Sequence, residues 1–217
     1  MRTRLLASLL AGVVLASGVG CNIMAPLTYY LRPRQLQKPE FKFPAKSRVV
    51  FFVEAARSEM ENPVFTRALY ERTVAMLRDG KSHADLLPLR AVDDLRREHG
   101  DFSKWSLQKI GRTLDVDYVL YLRMDRLQIR EAADHPLISP RLEGRLKVIG
   151  VEEPTGKERV WPDSREAREI TCKRRSSDAD DPDAADAQAA KLGSDAAYWV
   201  TMPFITVDLE ESPPVAH

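Results

Sequence analysis

The 217-residue chain sets 33 lysine and arginine side chains against 32 aspartate and glutamate. That balance gives no electrostatic case for a nucleic-acid partner, which needs a basic stripe to neutralise phosphates, nor for strong attraction to an anionic lipid surface. With two cysteines in the whole chain, stability must come from an apolar core, and the length suits one domain of ordinary size.

The chain opens MRTRLLASLLAGVVLASGVGC. Arg2 and Arg4 make a basic start, Leu5 to Val19 is apolar with small residues, and Cys21 follows Gly20. The run is too short for a spanning helix, which needs about 20 apolar residues, and reads as an export signal. Its end resembles a bacterial lipobox, with Gly18 standing where that motif usually has an aliphatic residue. The expectation is cleavage before Cys21 and lipidation of its sulfur; the alternative is ordinary secretory cleavage nearby, leaving a free thiol. Asn22 after the cysteine is similar to lipoproteins sent to an outer membrane. A thioether on Cys21 would leave Cys172 without a partner, so no disulfide framework or cysteine-based zinc site would remain. Attachment would then rest on acyl chains, each buried methylene contributing about 0.8 kcal/mol.

Residues 22–46 hold four prolines and no sustained period, and are expected to be a tether. RVVFFVEAA from Arg48 is a continuous apolar run that suits a central strand covered on both faces. Asn62 and Pro63 supply a helix cap and first-turn proline. Phe65, Leu69, Met76 and Leu77 then recur at near-helical spacing until Asp79 and Gly80. DLLPLRAV from Asp85 predicts a short edge strand, interrupted by Pro88. DDLRREHG predicts a short helix closed by Gly100, and Leu107, Ile110 and Leu114 share one face of the next.

The following stretch, IGRTLDVDYVLYLRMDRL, poses the main question of chemistry. Tyr118, Leu120, Leu122 and Met124 occupy one side of an alternating strand, while the other changes from Val119 and Tyr121 to Arg123 and Asp125. Past Asp125 the phase flips, with Leu127 and Ile129 apolar on odd positions, which predicts a bulge near Asp125. HPLISP is expected to be a loop. Leu142, Leu146 and Val148 then alternate with Glu143, Arg145 and Lys147 in a one-sided strand. EPTGK is a turn, and ERVW from Glu158 returns as its hairpin partner. The acidic stretch from Ser176 reads as a solvated linker passing into a helix that can begin at Ala184 and run towards Trp199.

Several places could carry chemistry. His83, His99, His135 and His217 are scattered, with no metal-binding pair on a helix turn. The run from Asp178 to Asp186 lacks the glycine and glutamate of a calcium loop. No phosphate-cradling glycine motif and no nucleophile elbow is present. Cys172, beside Lys173, Arg174 and Arg175, is expected to be inert or on the surface. Asp115 stands where a left-handed residue follows a helix, and Asp117 where a side chain can satisfy backbone donors before a strand. Both therefore read as punctuation of the fold. A catalytic pair would have to converge in a pocket. No catalytic residue, cofactor or metal site is expected.

The order of elements, together with Ile110, Gly111, Leu114, Asp117, Tyr118, Val119 and Leu120 in one motif and Thr155, Gly156, Val160 and Trp161 in another, resembles a family of envelope lipoproteins. The family includes the curli-secretion lipoprotein, the amino-terminal domain of TolB and lipoprotein activators of penicillin-binding proteins. The resemblance covers about residues 48–162 and implies a non-catalytic α/β sandwich that binds other envelope proteins. The expected fold is a two-layer α/β sandwich of a mixed sheet of four or five strands with helices. Its expected divisions are a signal peptide at 1–20, a lipidated tether at 21–46, the α/β domain at 47–171 and an acidic linker at 172–189. A C-terminal helix packing on the domain at 190–208 and a flexible tail at 209–217 complete them. The favoured function is a membrane-anchored periplasmic binding or assembly module for a secretion, transport or wall-building system, facing the periplasm from the outer membrane. It would be tethered through Cys21, with an unidentified envelope protein and possible self-association as partners. No pore is expected, because the hairpin of 118–151 is consumed by the sheet. The alternative is an envelope hydrolase using Asp117, Asp125 or His135.

Overall fold

The computed structural model describes residues 36–130, 137–164, 166–178 and 184–208. The chain divides into units of Met1–Gln35 and Leu36–His217, and all the described residues belong to the second. The expectations for the signal, Cys21, His135, His217 and the tail lie outside the described residues.

Nine strands are present among the described residues: β1 (Leu36–Gln37), β2 (Ser47–Ala55), β3 (Ala84–Leu86), β4 (Tyr118–Arg130), β5 (Leu137–Gly150), β6 (Arg159–Trp161), β7 (Arg168–Lys173), β8 (Ser177–Asp178) and β9 (Val207–Asp208). Four α-helices accompany them, α1 (Pro63–Asp79), α2 (Arg90–Glu98), α3 (Leu107–Thr113) and α4 (Ala184–Thr201). The class is α/β, and the mixed sheet is larger than expected, with seven strands. The order β3-β2-β4-β5 is parallel across its first two pairings and antiparallel at the third. β6, β7 and β8 follow one another along the far edge of β5, like one strand broken between Trp161 and Arg168. The break opens at a cis Trp161–Pro162 peptide.

Local chemistry sets the helix ends. The Asn62 carboxamide accepts the Phe65 N–H at 2.9 Å, and Pro63 occupies the first turn of α1. Ser106 caps α3 in the same way through the Lys109 N–H. Behind α3, Asp115 takes φ of 51°, a left-handed conformation that aspartate tolerates better than most residues. The Asp117 carboxylate accepts the backbone N–H of Arg48 at 2.8 Å, joining the starts of β2 and β4.

The bulge lies where the phase flip placed it. Met124 faces Gly144 and Arg126 faces Glu143, so Asp125 is the extra residue. Before it Leu120, Leu122 and Met124 point into one core; after it Leu127 and Ile129 pack against that same core. Gly144 has a packing reason: a Cβ there would stand 2.6 Å from the Arg123 carbonyl oxygen.

Four boundaries differ from expectation, although α4 begins at Ala184, where a helix was expected to be able to start. The strand expected from Asp85 is confined to Ala84–Leu86, and Arg90–Val92 already belong to α2. HPLISP is not a loop over its described part, because Leu137–Pro140 opens β5; Pro140 sits in a second register shift, where a missing N–H is tolerated. The tether expected to reach 46 gives way earlier: β1 pairs antiparallel with β9, and Phe43 is buried against Phe204 with ring centroids 5.3 Å apart. Within the expected linker of 172–189, β7 continues to Lys173 and α4 begins at Ala184.

Candidate functional site

Alternation along β2, β4 and β5 produces two unlike faces. On the first, Phe51, Leu120, Leu122, Leu142 and Leu146 are buried beneath α1 and α4. The close crossing of these helices depends on Gly193, where a Cβ would lie 2.5 Å from the Phe65 carbonyl oxygen. On the second, Val50, Val119 and Ile149 pack with Val92 and Leu95 of α2 and Ile110 of α3. These helices have 9 and 7 residues, or roughly 14 and 11 Å at the usual rise, so they end while the strands continue.

At that margin lies a groove of about 590 Å³, lined by Phe52, Glu54, Phe102, Trp105, Tyr121 and Lys147 among others. Its rings form a connected set. Phe52 meets Phe102 at 6.0 Å and Tyr121 at 5.7 Å, Phe102 meets Trp105 at 5.9 Å, and Trp105 meets His99 at 4.6 Å between centroids. The Arg96 guanidinium stands 5.7 Å from the Phe52 ring centre and 5.4 Å from that of Phe102. Lys147 Nζ is 4.9 Å from the Tyr121 ring and Lys109 Nζ 3.7 Å from that of Trp105. Cations held over ring faces attract the ring quadrupole; the rings of Phe52, Phe102 and Tyr121 are themselves buried, and that of Trp105 is half-buried. A smaller cleft of about 240 Å³, between the start of α1 and α2, shares Phe52, Ala55, Glu61 and Arg96 with the groove.

The groove is electrically tuned. The Tyr121 hydroxyl donates to Glu54, and burial, reinforced by that carboxylate, raises the phenol well above its usual range. Burial, then the neighbouring Arg159, lowers the Lys147 ammonium. The Trp105 indole N–H donates to Asp101 at 3.0 Å, which is the chief reason that this carboxyl lies below its usual range.

Beyond the groove the same face is a ladder of charge. Arg145 donates through Nε and Nη2 to the two oxygens of Asp125, at 2.8 Å each, and Arg123 Nε lies 3.4 Å from the same carboxylate. The Arg145 hydrogen bond holds the Asp125 carboxyl below its ordinary value. Arg141 pairs with Glu143 two residues along β5. Asp125 is thus committed to a fork–fork ion pair.

The carboxylates of the hydrolase reading do not converge. Asp117 and Asp125 lie on one strand line, eight residues and roughly 26 Å apart, and each already has its partner. Asp115 pairs with Arg48 on the surface. Cys172 is buried in the first-face core, so the surface position expected as one alternative does not hold, and burial pushes its thiol up to about 12. His83 is exposed and His99 stacks on Trp105. Among the described residues no group of three histidine, cysteine or acidic side chains is placed to hold a metal ion, and no helix is long and apolar enough to cross a membrane. The groove was missed from sequence because Phe52 lay within a uniformly apolar run. The available signal was Tyr121, an aromatic residue on the strand face that turns polar two residues later.

No family model matches the chain, and no curated sequence matches it. Among solved structures it is similar to lipoprotein GNA1162 from Neisseria meningitidis, at 13% identity and TM-score 0.42 over 73% of this chain and 99% of that one. It is similar to the PelC dodecamer from Paraburkholderia phytofirmans, at 13% identity and TM-score 0.38 over 79% and 95%. It is also similar to the LpoB C-terminal domain from Salmonella enterica, at 16% identity and TM-score 0.30 over 61% and 85%.

Proposed function

We propose that the chain is a periplasmic lipoprotein, anchored to the outer membrane by acyl chains on Cys21, and that its α/β domain is a non-catalytic binding or assembly module of an envelope secretion, transport or wall-building system. The observation that carries this reading is the second sheet face, where an aromatic groove passes into an open charge ladder with no converging acids. Such a face offers the half-buried rings of Trp105 and His99 over a floor of buried Phe52, Phe102 and Tyr121, and fixed charges for partner choice. The ion pairs of Asp125 and Glu143 leave these acids engaged rather than available as an acid–base pair, which argues against the hydrolase reading.

Crosslinking and pull-down from envelopes test both halves. The native protein should stay with the membrane and capture a defined envelope protein. The Cys21→Ser form should be released, and unchanged retention would overturn the anchor. Full-length Arg123→Glu with Arg145→Glu should remain folded and membrane-bound while losing the captured protein. Unaltered capture by that variant would remove the second face from the reading.

A further inference from the structure

The outer edge of β7 offers a surface that the partner-binding face does not explain. β7 pairs with β5 on one side, and among the described residues no strand pairs its other side. An unpaired edge presents a row of backbone donors and acceptors to any strand that reaches it. Ile170 and Cys172 are buried in the first-face core, while Glu169 and Thr171 on the opposite face are exposed. Lys173, on that same outer face, is half-buried.

The order of charges is self-complementary. Placing a second β7 antiparallel, with Thr171 opposite Thr171, brings Glu169 of each copy opposite Lys173 of the other. Ile170 then lies opposite Cys172, which continues the apolar side of the sheet. The remaining like-charged juxtaposition, Arg168 with Arg174, is quenched within each chain. Arg168 Nη1 donates to Glu40 at 2.8 and 3.1 Å, and Arg174 pairs with Asp195 of α4. Among the described residues Glu169 and Lys173 close no salt bridge of their own. Sliding by one residue in one direction would set Arg168 against Lys173 and Glu169 against Cys172; sliding in the other would set Glu169 against Arg174, already paired with Asp195, and Ile170 against Lys173. The register with Thr171 opposite Thr171 is the one that pairs both unbridged charges, Glu169 and Lys173, and keeps Ile170 opposite Cys172; opposite charges directly across an antiparallel pair stabilise it.

We propose that β7 is a self-pairing edge, through which two copies of this chain join antiparallel about a twofold axis at Thr171. The axis stands perpendicular to the sheet, so the interface is isologous and both second faces look the same way. Two aromatic grooves and two charge ladders then form one doubled surface. The inference does not depend on what that surface binds.

The test uses the full-length chain with Cys21→Ser, whose remaining native thiol, Cys172, is buried. Thr171→Cys should form a dimeric disulfide under mild oxidation. Glu169→Cys alone should stay monomeric on denaturing gels, and mixing it with Lys173→Cys should yield the crosslinked pair. In sedimentation, Lys173→Glu should weaken self-association about tenfold, and adding Glu169→Lys should restore it. That rescue separates the interface from a folding defect. A monomer at all concentrations, or a dimer indifferent to both the charge reversal and its rescue, would overturn the proposal.

Discussion

The two faces of the sheet are written by alternate residues of the same strands, yet they behave as different materials. The first is sealed by α1 and α4 and buries Phe51, Leu120 and Leu122 with relative exposures of 1% or less. The second is sealed by α2 and α3 over Val50 and Val119, stays closed at the buried rings of Phe52 and Tyr121, and becomes ionic only at Arg123, Asp125 and Arg145. The first face therefore carries the larger core, and the second leaves only its ionic end open to contact. Asp125 joins the two regimes: its bulge keeps Leu127 and Ile129 on the sealed face while the carboxylate itself stays with the ladder.

That contrast can be broken by substitution. Phe51→Ala should cost about 3–5 kcal/mol in chemical denaturation, whereas Phe102→Ala, beside a groove already open to solvent, should cost about half as much; equal losses would make the faces equivalent. Deleting Asp125 should leave a regular ladder in which Leu127 still faces Leu142 and points inward, so that only the screened pair with Arg145 is lost, at about 1 kcal/mol or less. A loss of several kcal/mol on that deletion would show that the bulge does more than correct the phase of the strand. Asp115→Val should cost about 1–2 kcal/mol, since a β-branched residue resists the left-handed conformation. Asp115→Gly should change stability by less than about 0.5 kcal/mol, because the ion pair it removes is exposed.

The smallest effect is one of pH. The Asp125 carboxyl is lowered in the folded chain by its hydrogen bond from Arg145. Its contribution is therefore present above the ordinary carboxyl value near 4 and is lost as the pH falls through the folded value. The side chain is about one-third exposed, at 34%, so water screens the pair to about 1 kcal/mol or less. Asp125→Asn should lower stability at pH 7 by that amount and leave the value at pH 2 nearly unchanged. A larger loss at pH 2 than at pH 7 would reverse the assigned direction.

Much of the first face was legible because it obeys short-range rules. The continuous run from Arg48 marked β2 as covered on both sides, and the alternation of β4 and β5 named their buried residues. The edge position of β3 followed from Pro88. β7 was harder, since Ile170 and Cys172 are only two apolar alternations among charges, and its identity as a strand depends on β5 lying beside it. Phe41 and Phe43 sit among prolines with no period to report them, and they enter the core only because Phe204 arrives from the far end of the chain. The groove was hidden for the same reason, as Phe52, Phe102 and Tyr121 lie on three separate elements.

The sequence by itself determined the punctuation: the Asn62–Pro63 start of α1, the left-handed Asp115, the donor-satisfying Asp117 and the bulge at Asp125. Each is settled by a residue's own φ preference, by a hydrogen bond to nearby backbone or by the period of two along a strand. Only the tertiary structure decided how far α2 and α3 extend over the second face, which rings meet in its groove, and that Arg145 holds Asp125 in a bidentate ion pair. Those outcomes depend on contacts between segments distant along the chain, and no local preference encodes them.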